Sequence, residues 1–234
     1  DGTRGKVMGI ALTGMTAGLL VGPPLGGLLY EWGGYQWPFV VAAGLAALDG
    51  LACVLLLQDP PRAEAAALSP LDLLRDRSVL ATCGVVIAGA GTWALLEPIL
   101  PLYLERDYAF SPGAIGLLFG AATLVYGISA PLVGALCDRW GRWPTMAAGL
   151  LLVAASLPLI GLPNGLLASG ALLLVSVAYG LALTPTLPAL ADAVDRRGGA
   201  AYASGYALFN EAYGVGMLAG PVVGGALAGA VGLP

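Results

Sequence analysis

The chain has no histidine, a single lysine (Lys6) among ten basic residues, and three cysteines in 234 residues. Without histidine it lacks the commonest metal ligand and the usual general base near neutral pH. Cys53, Cys83 and Cys137 stand alone, each in or at the end of an apolar stretch, which suits neither a disulfide framework nor a metal site. Charge is scarce too: 10% of residues are charged, against about a quarter in soluble chains. The basic residues never gather into a patch, so nucleic-acid binding is not expected. No nucleophile stands in a pattern with a base, and no paired aspartates are visible, so the chain reads as no enzyme and calls for no cofactor. A retinal protein is excluded because Lys6 lies at a terminus rather than inside a span. The chain also opens without methionine or a signal peptide and stops without a polar tail, so both ends read as cut.

What is abundant is apolar: 58% of residues, with a mean hydropathy of +0.85. Seven stretches are long enough to cross a bilayer, roughly 7–29, 38–57, 79–104, 112–136, 144–162, 166–190 and 203–231. None alternates as a barrel strand does, so the expected fold is all-α, a polytopic membrane protein in a lipid bilayer. Alternate loops divide the basic residues nine to one. Arg4, Lys6, Arg62, Arg75, Arg77, Arg139, Arg142, Arg196 and Arg197 share one side, and Arg106 stands on the other. That asymmetry places the N-terminus in the cytoplasm and the C-terminus outside.

The third stretch carries one charge, Glu97, set in Leu95-Leu96-Glu97-Pro98-Ile99-Leu100-Pro101. At ~1.5 Å rise per residue it lies roughly 8 Å from the middle of its span. An ionised side chain there costs about 2.5–3.5 kcal/mol on insertion scales, which marks it as a functional candidate, the alternative being a structural carboxylate bonded to a neighbouring helix. Pro98 and Pro101 each remove a backbone donor, so a break or bend is expected beside the carboxylate. Glu211 lies near mid-membrane in the seventh span, next to Asn210. It is either a second coupling group or bonded to Asn210, Tyr206 or Tyr213. Trp93, Tyr103 and Tyr126 are candidates to stack on a cationic or aromatic solute, with Tyr103 equally explained as an interfacial anchor. Asp49, in the second span, reads as structural.

Residues 59–78 form the longest polar break and read as a cytoplasmic linker, with Ser69 and Pro70 opening a short capped helix. The run Gly18-x-x-x-Gly22-Pro23-x-x-Gly26-Gly27 recurs as Gly216-x-x-x-Gly220-Pro221-x-x-Gly224-Gly225. Glycine at four-residue spacing lets another helix approach, and two copies imply a duplicated architecture. Between the fourth and fifth spans stands Gly134-Ala-Leu-Cys-Asp138-Arg139-Trp140-Gly141-Arg142, a tight turn with two cations free to pair across a cytoplasmic interface.

This loop resembles the G-x-x-x-D-R-x-G-R signature of the major facilitator superfamily. The Gly18–Gly27 run resembles the antiporter signature on that family's fifth helix. Leu28-Leu29-Tyr30-Glu31, Leu48-Asp49-Gly50 and Leu96-Glu97-Pro98-Ile99-Leu100-Pro101 are similar to vesicular amine transporters and their bacterial drug-efflux relatives. The resemblance implies helices five to eleven of a twelve-helix, two-bundle fold that works by alternating access and is monomeric when full length. Residues 1–58 would close the N-terminal bundle and residues 79–234 would form the C-terminal one, without its final helix. The third and sixth spans would line the cavity, and the first, fourth and seventh would form the seam between bundles.

By the same resemblance Glu97 takes part in cation recognition and proton coupling. Gly134, Asp138, Arg139, Gly141 and Arg142 form a conformational latch. Gly18, Gly22, Pro23, Gly26 and Gly27 form the antiporter motif. Two departures, Leu181-Ala182-Leu183 and Asn210 where the vesicular transporters carry acids, favour a multidrug exporter of a bacterial plasma membrane. The expected function is proton-coupled export of cationic or amphipathic molecules, since proton and cation compete for one negative charge. The alternative is an uptake facilitator or proton symporter for a sugar or metabolite on the same fold.

Overall fold

The computed structural model describes residues 2–56, 70–197 and 202–231. They form α1 (Gly2–Gly33), α2 (Gln36–Leu56), α3 (Pro70–Leu73), α4 (Arg77–Tyr108), α5 (Pro112–Trp140), α6 (Arg142–Ile160), α7 (Gly165–Leu183), α8 (Thr186–Asp195) and α9 (Tyr202–Val231), and no strand among the described residues. The seven expected spans correspond to α1, α2, α4, α5, α6, α7 with α8, and α9. Five of these meet both length and hydropathy for a crossing: Gln36–Leu56, Arg77–Tyr108, Pro112–Trp140, Arg142–Ile160 and Gly165–Asp195. α1 and α9, at 32 and 30 residues, are longer than the bilayer core requires. Ser69, the expected cap of α3, falls outside the described residues, as does most of the linker.

Two local expectations change places. α4 runs unbroken through Pro98 and Pro101. Those prolines leave the carbonyls of Ala94 and Glu97 without their intrahelical donors, a defect that packed membrane helices tolerate. The sixth span, expected to be continuous, is instead interrupted between Leu183 and Thr186. Pro185 has no N–H to continue the ladder. The Thr186 hydroxyl donates to the Leu183 carbonyl at 2.7 Å and takes up one of the freed acceptors.

The chain divides into two compact units, Asp1–Glu64 with Glu105–Leu124, and Ala65–Leu104 with Val125–Pro234. In the first, α1 packs on the opening half of α5 almost backbone to backbone. A β-carbon on Gly116 would stand 2.4 Å from the Pro23 carbonyl oxygen, and one on Gly27 would stand 2.6 Å from that of Pro112. Gly18, Gly22 and Gly26 take no part in this contact: nothing lies within 4 Å of a β-carbon built on any of them. The packing ridge in this copy of the motif is Pro23, Pro24 and Gly27, one stripe around the helix.

In the second unit the repeated run uses the other stripe. β-Carbons on Gly216, Gly220 and Gly224 would stand 2.6 Å from the Ile87 carbonyl oxygen, 2.3 Å from that of Gly91 and 2.9 Å from Leu95, all on α4. α6 and α7 meet as closely at Gly149, where an added β-carbon would sit 2.3 Å from the Ala182 nitrogen. The buried hydroxyls of Thr82, Thr145, Ser156, Ser176 and Thr186 each donate to a carbonyl three or four residues back, so none enters the apolar interior unpaired.

Gly220→Val forces α9 away from α4 and is expected to cost about 1–3 kcal/mol, as overpacking does. Gly225→Val, where nothing lies within 4 Å, is the control. A lowered thermal midpoint for the first and an unchanged one for the second, in detergent, is the expected result.

Candidate substrate and proton site

Trp93 and Glu97 are one helical turn apart on α4, on the same face. The indole Nε1–H donates to Glu97 Oε1 at 3.0 Å. The Trp93 ring lies 5.5 Å from the ring of Tyr179 on α7, tilted by 40°. Tyr126 of α5 meets the same Tyr179 ring from another helix, also at 5.5 Å, tilted by 59°. These separations and tilts are those that aromatic quadrupoles favour. Tyr213 of α9 closes the group through a hydrogen bond between its hydroxyl and that of Tyr179. Four helices thus send one side chain each toward one level, near the middle of each span, with Glu97 a turn further along α4.

The cluster is neither sealed nor loose. Trp93, Tyr126, Tyr179 and Tyr213 are half-buried, whereas Glu97 is exposed. The glycine opposite Tyr126 and Ser129 is Gly180, where an added β-carbon would stand 3.0 Å from Ser129 Oγ. It lets α7 approach α5 beside Tyr179. The chemistry on offer is a single carboxylate at the edge of several π faces. Both attract a positive charge, and aromatic faces add shape for a ring.

Of the residues singled out in the sequence, Trp93, Glu97 and Tyr126 come together. Asn210 and Glu211 are exposed on α9. Glu211 precedes Tyr213 by two residues, which turns it about 200° around the helix from the cluster, whereas Asn210 lies only about 60° away. Tyr103 is elsewhere: its hydroxyl donates to the Leu162 carbonyl at 3.4 Å, in the turn between α6 and α7. Asp49 lies on α2, a helix without buried residues. Tyr179 was not among the residues singled out, and Tyr213 stood only as a possible partner of Glu211. The one signal that would have found them is a phenol at mid-span, which needs a partner for its hydroxyl.

Around the glycine-arginine loop, Gly141 has φ 88°, a left-handed conformation that suits glycine, and its N–H closes the last turn of α5 on the Cys137 carbonyl at 2.8 Å. Asp138 and Arg139 are exposed. Arg142 carries the ion pair, reaching Asp192 of α8 at 2.6 Å. A second tie joins the end of α8 to the start of α4. Arg196 donates to Ser78 Oγ at 2.8 Å and lies 3.5 Å from Asp76 Oδ2, while Arg197 donates to the Asp72 carbonyl. Asp76 accepts from the Ser78 hydroxyl at 2.7 Å and amide at 2.8 Å, capping α4. The Ser78 hydroxyl and amide, and after them Arg196, hold the Asp76 carboxyl below the usual aspartate range. A cavity of about 490 Å³ lies between α8 and α9, lined by Leu187, Pro188, Leu190, Tyr202 and Tyr206. It is apolar and does not include Glu97.

Long apolar helices packed through close glycine contacts define a polytopic membrane protein, with a carboxylate and aromatic side chains gathered near mid-span. Its sequence matches the Major Facilitator Superfamily over residues 1–96 and 81–234, and the chain belongs to that family. It is 36% identical to the human chromaffin granule amine transporter over 239 residues, covering 100% of this chain and 45% of the relative. With the human synaptic vesicular amine transporter it is 36% identical over 240 residues, covering 100% of this chain and 46% of the relative. With the human vesicular acetylcholine transporter it is 32% identical over 233 residues, covering 95% and 43%. The chain thus spans a little under half the length of these curated relatives.

A carboxylate whose folded pKa is depressed stabilises the fold above its unfolded pKa, and that contribution is lost as pH falls through the folded value. Asp76→Asn is therefore expected to lower the thermal midpoint at neutral pH. The gap to wild type closes as pH drops below the ordinary aspartate value of about 3.9. Thermal melts over a pH series check this.

Proposed function

We propose that this chain forms the site-bearing part of a secondary active transporter that exchanges protons for a cationic or amphipathic small molecule by alternating access. The observation that carries this reading is Glu97, an acid within a membrane span, gripped by an indole N–H and set against Trp93, Tyr126, Tyr179 and Tyr213. An organic cation satisfies the carboxylate and lays its apolar part on the rings. A proton satisfies the same carboxylate by neutralising it. Competition for one charge links the two fluxes, provided the protein changes state only when the site is occupied. The amine and acetylcholine transporters among its relatives are consistent with a positively charged solute, and an aromatic amine fits the ring-lined wall best.

Roles follow for the remaining residues. Asn210 flanks the wall from α9, and Glu211 serves a different face of that helix. The Arg142–Asp192 pair, with Gly134, Asp138, Arg139 and Gly141 shaping its loop, acts as the latch on the cytoplasmic side. Export of several unrelated cations follows from a site that selects by charge and ring stacking rather than by many directed hydrogen bonds.

Glu97→Gln in the intact protein keeps the size and the acceptor for Trp93 but removes the charge. In proteoliposomes with an imposed proton gradient it is expected to reduce proton-driven transport of an aromatic amine by about 10- to 100-fold, the worth of a charge-assisted contact. Undiminished transport, or dissipation of the gradient by a sugar and not by amines, refutes the reading.

A further inference from the structure

A second carboxylate is built into the packing between α1 and α5, far from the aromatic cluster in sequence. Glu31 lies in the last turn of α1. Its Oε1 accepts from the Gly113 amide of α5 at 2.8 Å, across 82 residues of chain. It also accepts from the side chain of Ser111. Ser111 itself caps α5: its Oγ accepts from the Ala114 amide at 3.2 Å, and Pro112 follows it in the first turn. The carboxylate is fitted closely, since a β-carbon on Gly113 would stand 2.6 Å from Glu31 Oε2. It sits at the end of the backbone-to-backbone contact made by Gly27, Gly113 and Gly116.

We propose that Glu31 is a further proton-binding site: ionised, its carboxylate clamps α1 to the N-terminus of α5 at the non-cytoplasmic end, and protonated, it lets the two helices part. This rests on the proton-coupled reading above. An ionised carboxylate accepts charge-assisted hydrogen bonds and faces the positive end of the α5 dipole. A protonated one loses both attractions. Below it the contact is made by glycine and proline at close range, with Pro24 packed on Gly120, and among the described residues no second ion pair or polar side chain there shares the load of the clamp.

The groups that hold the carboxyl below the usual glutamate range are, in order, the Ser111 side chain and the Gly113 amide, with burial opposing them. The other titratable or charged side chains on the segments around it are Tyr30 and Tyr35 beside it in the chain, Asp49 on α2, and Glu105, Arg106, Asp107 and Tyr108 ahead of α5. Arg106 and Asp107 pair with each other at 3.3 Å. The sign follows from linkage. The closed contact favours the ionised form, so opening takes up a proton. The open fraction then rises as pH falls, by at most about tenfold per pH unit for one group.

The test is pulsed electron-spin distance measurement on the intact protein in lipid nanodiscs. Spin labels are placed at Trp32→Cys and Ala114→Cys after Cys53, Cys83 and Cys137 are replaced by serine. Wild-type Glu31 is expected to give a short distance at neutral pH and a growing long-distance population as pH falls below the glutamate value of about 4.3. Glu31→Gln is expected to show the long distance at every pH, and Glu31→Asp to retain the pH response. A distance in the Glu31 protein that ignores pH overturns the proposal, as does a Glu31→Gln protein that still follows pH like wild type. The readout needs no solute flux, so its failure condemns the clamp alone, while failure of amine–proton exchange condemns the transport reading alone.

Discussion

A carboxylate at mid-membrane must be solvated by something other than water, and the structure supplies that something at Glu97. The indole N–H of Trp93 takes one oxygen. The carboxylate is otherwise exposed, and the ring faces grouped beside it carry partial negative charge and therefore do nothing to neutralise the acid. The carboxylate is left held but uncompensated, with an appetite for positive charge. The glycine contacts that let α7 and α9 close on α5 and α4 bring those rings to one level. The packing of the second unit and the chemistry of its site are thus one arrangement.

Much of this was legible in the chain. The bilayer fixes span length, so seven apolar stretches translate almost directly into helices, five of them long and apolar enough to cross, and a lone Glu97 in one of them declares itself by its cost. Trp93 is legible too, because four-residue spacing on a helix puts it over Glu97. Tyr179 was not, since its apolar neighbours Val175 and Ala178 say only that α7 is buried. Nor was the choice of Arg142 over Arg139 as the pairing cation, which depends on where α8 places Asp192. The interruption was assigned to the wrong span. Pro98 and Pro101 sit in a helix that stays continuous through them, whereas Pro185 sits where a threonine hydroxyl takes over a freed carbonyl. Proline count does not decide between them; the surroundings do.

The duplicated glycine motif carries a similar lesson. Both copies have the same letters, yet the first packs through its prolines and Gly27, and the second through Gly216, Gly220 and Gly224. A G-x-x-x-G run states that close approach is possible on a stripe, and the next stripe over is nearly as bare. Which one is occupied depends on the neighbour, and no pattern within the helix encodes it.

The joint between α7 and α8 has a consequence for how such a protein changes over evolutionary time. The ring of Tyr179 stands on one side of it, and Asp192, which meets Arg142, and Arg196, which meets the start of α4, stand on the other. Because the rod is interrupted at Thr184 and Pro185, side chains on α7 can be exchanged without passing a rigid displacement to the ion pairs of α8. Under the proposed transport reading, selectivity can then drift residue by residue while the Arg142–Asp192 pair stays as it is.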